Sequence, residues 1–116
     1  MKANLNYTVM DHEGIKVVNL NGNISNASRD ELEMVISDLI QKSNVILNMR
    51  DVQLITSSGL DSLVTLCIEA RQKNKRILVM GLRDHLQKMI DVLDLYEYFI
   101  FVESIEEGQM KLRYYT

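Results

Sequence analysis

Two runs in this chain place apolar side chains on consecutive positions: Val45-Ile46-Leu47 in "NVILNM" and Ile77-Leu78-Val79-Met80 in "RILVMG". A strand with one wet face alternates polar and apolar residues, whereas a strand covered on both faces does not. Parallel strands acquire that cover because each needs a crossover, usually a helix. Helical spacing lies between and beside the two runs. Leu32, Val35, Ile36 and Leu39 form one apolar stripe, and Leu60, Leu63, Val64 and Cys67 form a second. Leu82, Leu86, Met89, Ile90 and Leu93 form a third.

The flanks complete the pattern. Leu5, Tyr7 and Val9 alternate with polar neighbours, "DHEG" at Asp11 to Gly14 is turn chemistry, and "IKVVNL" follows from Ile15 to Leu20. Strand, short turn and strand predict a hairpin. "NGN" at Asn21 to Asn23 reads as an interruption, with Gly22 free to take an unusual backbone angle. "FIFVE" at Phe99 to Glu103 predicts a last strand, and Ser104 to Leu112 a short fourth helix. Ser28/Glu31 and Ser104/Glu107 have the S-x-x-E spacing of a capping box. The expected fold is α/β: a mixed, mostly parallel sheet of about five strands, opened by an antiparallel hairpin, with about four helices. The 116 residues fit one domain, 1–116.

Charge and composition exclude several function classes. A net charge of −3 argues against a general nucleic-acid binder. The local cluster Arg71, Lys73, Lys75 and Arg76 reads as a solvated helix end, where cations are favoured. The longest apolar run, Tyr98 to Val102, is far shorter than the roughly 20 residues of a spanning helix. The first residues lack an apolar signal core. A soluble, cytoplasmic protein is expected. The one cysteine, Cys67, excludes an intrachain disulfide, and its place in an apolar stripe predicts a packed thiol rather than a reactive one.

No catalytic constellation stands out. There is no G-x-G-x-x-G, no P-loop and no nucleophile elbow, since "ITSSG" is not G-x-S-x-G. His12 and His85 have no matching ligand spacing, and the acidic pairs Asp30/Glu31 and Glu106/Glu107 fall in first helical turns, where the dipole explains them. A non-enzymatic protein without a cofactor is expected.

The informative stretch is "DVQLITSSGLDSLV", Asp51 to Val64. Asp51 to Ser57 reads as a loop outside the carboxyl end of a strand, where sites gather in such sheets. A helix begins around Ser57 or Ser58. Its N-terminus presents unpaired N–H groups and partial positive charge. A serine there serves as a cap. A phosphoserine there places roughly two negative charges against the same donors.

The element order, the "LNGNIS" turn and "NMRDVQLITSSGLDSLVTL" together resemble the anti-sigma factor antagonist family, the STAS domain. "RILVMGLRDHLQKMIDVLDLYEYFIFVES" resembles that family's last strand-helix-strand portion. The resemblance implies a STAS-like fold and a binding module rather than an enzyme. Such an antagonist sequesters an anti-sigma factor serine kinase and so frees a sigma factor. The kinase ends the interaction by phosphorylating the serine that follows an acid in Asp-Ser-Ser/Thr/Ala-Gly, and a PP2C-type phosphatase reverses it. That serine maps onto Ser57. The implied partner surface comprises Asn23, Ser25, Thr56, Ser57, Ser58, Gly59 and Asp61. Thr56, Asn23 and Ser25 stand where the family commonly has acids. These departures leave room for a modified Thr56, or for a non-cycling STAS scaffold or subunit of a signalling or transport assembly.

Overall fold

The computed structural model describes residues 5–114. Strands β1 (Leu5–His12) and β2 (Ile15–Ile24) form the predicted hairpin. Its turn is two residues, Glu13 and Gly14, both with positive φ (51° and 89°). That pair matches the right-handed twist of the strands it joins. Then follow α1 (Arg29–Leu39), β3 (Val45–Ile55), α2 (Ser57–Gln72), β4 (Ile77–Met80), α3 (Asp84–Val92), β5 (Ile100–Val102) and α4 (Ile105–Leu112). A 3₁₀ turn at Tyr96–Tyr98 separates α3 from β5.

The five strands lie in chain order, β1-β2-β3-β4-β5. β1 pairs antiparallel with β2, and every later pair is parallel. Successive crossovers of one hand, stepping one way along a sheet, deposit their helices on one face. Residues of α1, α2 and α3 accordingly share one core with Val18, Leu20, Leu47 and Val79. The opposite face holds a smaller core of Ile15, Val17, Ile46, Leu78, Met80 and Val102, closed by Leu112 of α4. The consecutive apolar runs are therefore covered on both sides, as their composition demands. Gly108 lets α4 approach the sheet: a Cβ there would lie 2.8 Å from Ile46 Cδ1.

Three local expectations are corrected. "NGN" does not break the strand, because β2 runs through it to Ile24. Its pairing with β3 slips between Asn19 and Asn21 and again between Gly22 and Asn23. Gly22, at φ +121°, takes the conformation those slips need. Asp51 to Ile55 is likewise strand and not loop, since β3 follows β2 to its end. Finally, Ser28 makes no side-chain cap on α1. Its hydroxyl turns backwards, accepting from the Ser25 N–H and donating to the Asn23 carbonyl, both at 2.9 Å. The second S-x-x-E does cap: Ser104 Oγ accepts from the Glu107 N–H at 3.0 Å.

Cys67 is buried in the α2 stripe, and burial pushes its thiol up to about 12. The Arg71 side chain donates to the carbonyls of Glu97 and Tyr98, so this member of the basic cluster ties the end of α2 to the 3₁₀ turn before β5. Ser62, fully buried on α2, carries a hydroxyl with no hydrogen-bond partner among the described residues. Deleting an unsatisfied buried hydroxyl removes a desolvation cost and improves helix propensity. Ser62→Ala is expected to raise stability by about 0.5–1 kcal/mol in urea unfolding. A loss of about 1 kcal/mol or more would show that the hydroxyl is partnered after all.

Candidate functional site

The site is assembled where β2 and β3 end side by side. Ile24 pairs with Ile55 in the last register position, and the Thr56 N–H donates to the Ile24 carbonyl at 2.9 Å. This last rung brings two turns separated by some thirty residues of chain into contact. One is Ser25–Ser28, leading into α1. The other is Thr56, leading into α2.

Thr56 is the N-cap of α2, which corrects the expectation of a serine cap. Its backbone is extended (φ −78°, ψ 167°), and its Oγ1 accepts from the Gly59 N–H at 3.1 Å. The helical ladder begins with the Leu60 N–H donating to the Thr56 carbonyl at 2.8 Å. The N–H groups of Ser57 and Ser58 precede that ladder and point out of the helix end. Gly59 is buried, and a Cβ built there would lie 2.3 Å from the Ile24 carbonyl oxygen. Only a residue without a side chain lets the α2 N-terminus lie so close to the end of β2.

The three consecutive hydroxyls thus have three fates. Thr56 Oγ1 is used as the cap. Ser58 Oγ is half-buried, accepting from Arg29 Nη1 at 2.8 Å and donating to Asn26 Oδ1 at 3.3 Å. Ser57 is exposed, with no side-chain hydrogen bond to the described residues. Asp61, also exposed, sits one helical turn beyond it. Asn23 pairs across the sheet with Leu54, and Ser25 holds the turn by accepting the Ser28 and Arg29 N–H groups on its carbonyl. All seven predicted residues therefore converge on one end of the sheet.

Three further residues belong to this surface. Arg29, the first residue of α1, reaches Ser58 while its Nε donates to Glu33 Oε2 at 3.2 Å. Asn26 closes the same contact from the turn. Leu54 stands 49% exposed on β3, an apolar side chain at the rim of an otherwise polar site. The signal for Leu54 was its place in a run of Val, Leu and Ile before the serines. No local signal marks Arg29 or Asn26.

Among the described residues there is no group of three or more His, Cys, Asp or Glu side chains able to hold a metal ion. Among the same residues no helix is long and apolar enough to cross a membrane. A cleft of about 520 Å³ lies elsewhere, between the ends of β4 and β5, lined by Val79, Phe101 and the carboxylates of Asp84, Glu103 and Glu107. It shares no lining residue with the serine region. His85 is exposed on α3, 3.0 Å from the Gln53 carbonyl, and His12 ends β1 beside Glu13.

A five-stranded, mostly parallel sheet with three helices on one face, opened by a hairpin and carrying its polar site at a strand-to-helix junction, defines the class of small α/β domains of STAS architecture. The family model described as "STAS domain" matches residues 6–108, and the chain belongs to that family. An anti-sigma F factor antagonist from Paenibacillus polymyxa is 23% identical over 97 residues, spanning 81% of this chain and 83% of that one. The crystal structure of an anti-sigma factor antagonist from Mycobacterium paratuberculosis superposes with a TM-score of 0.81, at 20% identity, over 97% of this chain and 99% of that one. The Bacillus cell fate determinant SpoIIAA, in its phosphorylated form, superposes with a TM-score of 0.68 at 17% identity, covering 92% and 99%. Likeness at these identities concerns the fold.

Proposed function

We propose that this chain is an anti-sigma factor antagonist: a binding module, not an enzyme, that sequesters a kinase-type anti-sigma factor and is released by phosphorylation of Ser57. The observation that carries the reading is the division of labour among the hydroxyls. Thr56 is committed to the cap and Ser58 to Arg29 and Asn26, while Ser57 is exposed at the first position of α2. Of the three hydroxyls at the start of α2, only that of Ser57 is left uncommitted for a kinase. The same fates count against Thr56 as the acceptor. The antagonist names of the Paenibacillus relative and of the superposing Mycobacterium structure support the role.

The transfer balances simply. The partner kinase holds ATP, and the bond from the γ-phosphorus to the ADP oxygen breaks as Ser57 Oγ bonds to phosphorus. The hydroxyl proton passes to a base on the kinase. A PP2C-type phosphatase resets the site by adding water to phosphorus, releasing inorganic phosphate and returning a proton to Oγ. The partner surface comprises Asn23, Ser25, Thr56, Ser57, Ser58, Gly59 and Asp61, with Leu54 as its apolar contact.

The test is incubation with a kinase-type anti-sigma factor and ATP, followed by mapping of the modification by mass spectrometry. One phosphoryl group per chain, on Ser57, is expected. Stoichiometric transfer to Ser58 or Thr56 overturns the residue assignment. Stable binding without transfer overturns the switch and leaves a non-cycling STAS scaffold, a reading favoured by the neutral side chains of Thr56, Asn23 and Ser25.

A further inference from the structure

We propose that Arg29 receives the charge of a phosphoryl group on Ser57, and that phosphorylation acts in this chain by drawing Arg29 off Ser58. The proposal rests on Ser57 being the acceptor.

The geometry supplies the motive. Arg29 reaches across from α1 to the first turn of α2, where its Nη1 lies 2.8 Å from the hydroxyl of the residue next to Ser57. That hydroxyl is a neutral acceptor. Phosphoserine at the adjacent position offers three acceptor oxygens and close to two negative charges. A guanidinium has five N–H donors in a planar fork and takes phosphate oxygens two at a time. The described contacts of Arg29 occupy two of those donors, one on Ser58 and one on Glu33. A short swing that keeps the Glu33 ion pair can trade the neutral oxygen for charged ones. The Arg29 side chain is 28% exposed, so the exchange takes place in a partly desolvated setting, where charge pairs are stronger than in open water.

The surroundings favour capture. The side chains of Thr56, Asn23 and Ser25, all at this corner, are uncharged. The N–H groups of Ser57 and Ser58 face the same space with the positive end of the helix dipole. The opposing charges are Glu33, already paired with Arg29, exposed Asp30 and Glu31 in the first turn of α1, and Asp61 on the outer face of α2. Arg29 is the cation the structure puts in contact with the serine pair. The unmodified chain ties α1 to α2 through Arg29 and Ser58. The phosphorylated chain exchanges that tie for one from Arg29 to the phosphate, frees Ser58 Oγ from the guanidinium so that its contact with Asn26 can readjust at the partner surface, and partly neutralises its own phosphate. Such a switch alters shape as well as charge.

Phosphoserine installed at position 57 during synthesis, without any kinase, separates this proposal from the question of whether a kinase modifies Ser57. The second ionisation of the phosphate, ordinarily near pH 6, is followed by phosphorus NMR in the Arg29 protein and in R29Q and R29K. Removing the guanidinium is expected to raise the phosphate pKa by about half a unit or more, roughly a threefold change in proton affinity. R29K should lie between. Amide resonances of Asn26 and Ser58 should shift on phosphorylation in the Arg29 protein and much less in R29Q. Equal phosphate pKa values in Arg29 and R29Q, with both proteins folded by their NMR spectra, overturn the proposal. Should R29Q not fold, R29K carries the test: a titration matching the Arg29 protein's, with Asn26 and Ser58 unmoved by the phosphate, overturns it equally.

Discussion

Gly59→Ala is expected to destabilise the protein by about 3 kcal/mol or more, the largest effect of any methyl-sized change at the site. The added Cβ would lie 2.3 Å from the Ile24 carbonyl oxygen and 2.7 Å from its carbon. Neither atom can yield alone, because that carbonyl accepts the Thr56 N–H at 2.9 Å, the rung that closes β2 onto β3. Relief requires moving the helix off the strand. Doing so strains the cap, since the Gly59 N–H is the donor that Thr56 Oγ1 accepts. Gly108 is the natural control. A Cβ there meets Ile46 Cδ1 at 2.8 Å, the far end of a flexible side chain, so Gly108→Ala is expected to cost only about 1–2 kcal/mol. Urea denaturation gives both numbers as midpoint shifts at constant slope. A Gly59→Ala protein within about 1 kcal/mol of the parent would mean that the helix has room the structure does not show.

How much of this was legible in the sequence depended on the range of the contacts. Element order, the hairpin and the two-sided cover of β3 and β4 follow from periodicity, which is a local property. The end of β2 was misread because its regularity is broken: two register slips around Gly22 destroy the alternation. What holds "NGN" in a strand is its pairing with Asp51, Val52 and Leu54, far along the chain. The same slips disguised Asp51 to Ile55 as a loop, since Val52 and Ile55 are buried at a spacing of three with exposed Gln53 and Leu54 between them. Ser28 fits the capping-box spacing, yet its hydroxyl is better used on the preceding turn, where the Ser25 N–H and Asn23 carbonyl are closer claimants. The serines themselves could be placed from their position before a helix. Arg29, 29 residues earlier, could not, because nothing in its own neighbourhood announces a contact with Ser58.

Ser57→Asp is expected to weaken binding to a kinase-type anti-sigma factor by tenfold or more, about 1.4 kcal/mol, while Ser57→Ala binds within about twofold of the parent. The alanine limb follows from the structure: the Ser57 hydroxyl makes no side-chain hydrogen bond to the described residues, so its loss removes nothing from the fold. The aspartate limb has a useful sign. A carboxylate at the first position of α2 lies against the positive helix end and within the field of Arg29, so the Asp variant should be more stable, by about 0.3–1 kcal/mol. Lower affinity accompanied by higher stability cannot be ascribed to unfolding, and that pairing marks a charge effect at the contact surface. The loss should shrink as ionic strength rises, because exposed charges are screened within about 10 Å at 0.1 M salt. It should also stay below the effect of true phosphoserine, which carries nearly twice the charge. Calorimetry of the three proteins against one partner, with thermal unfolding alongside, reads all of these quantities. Equal affinities for the Ala and Asp variants would remove Ser57 from the switch.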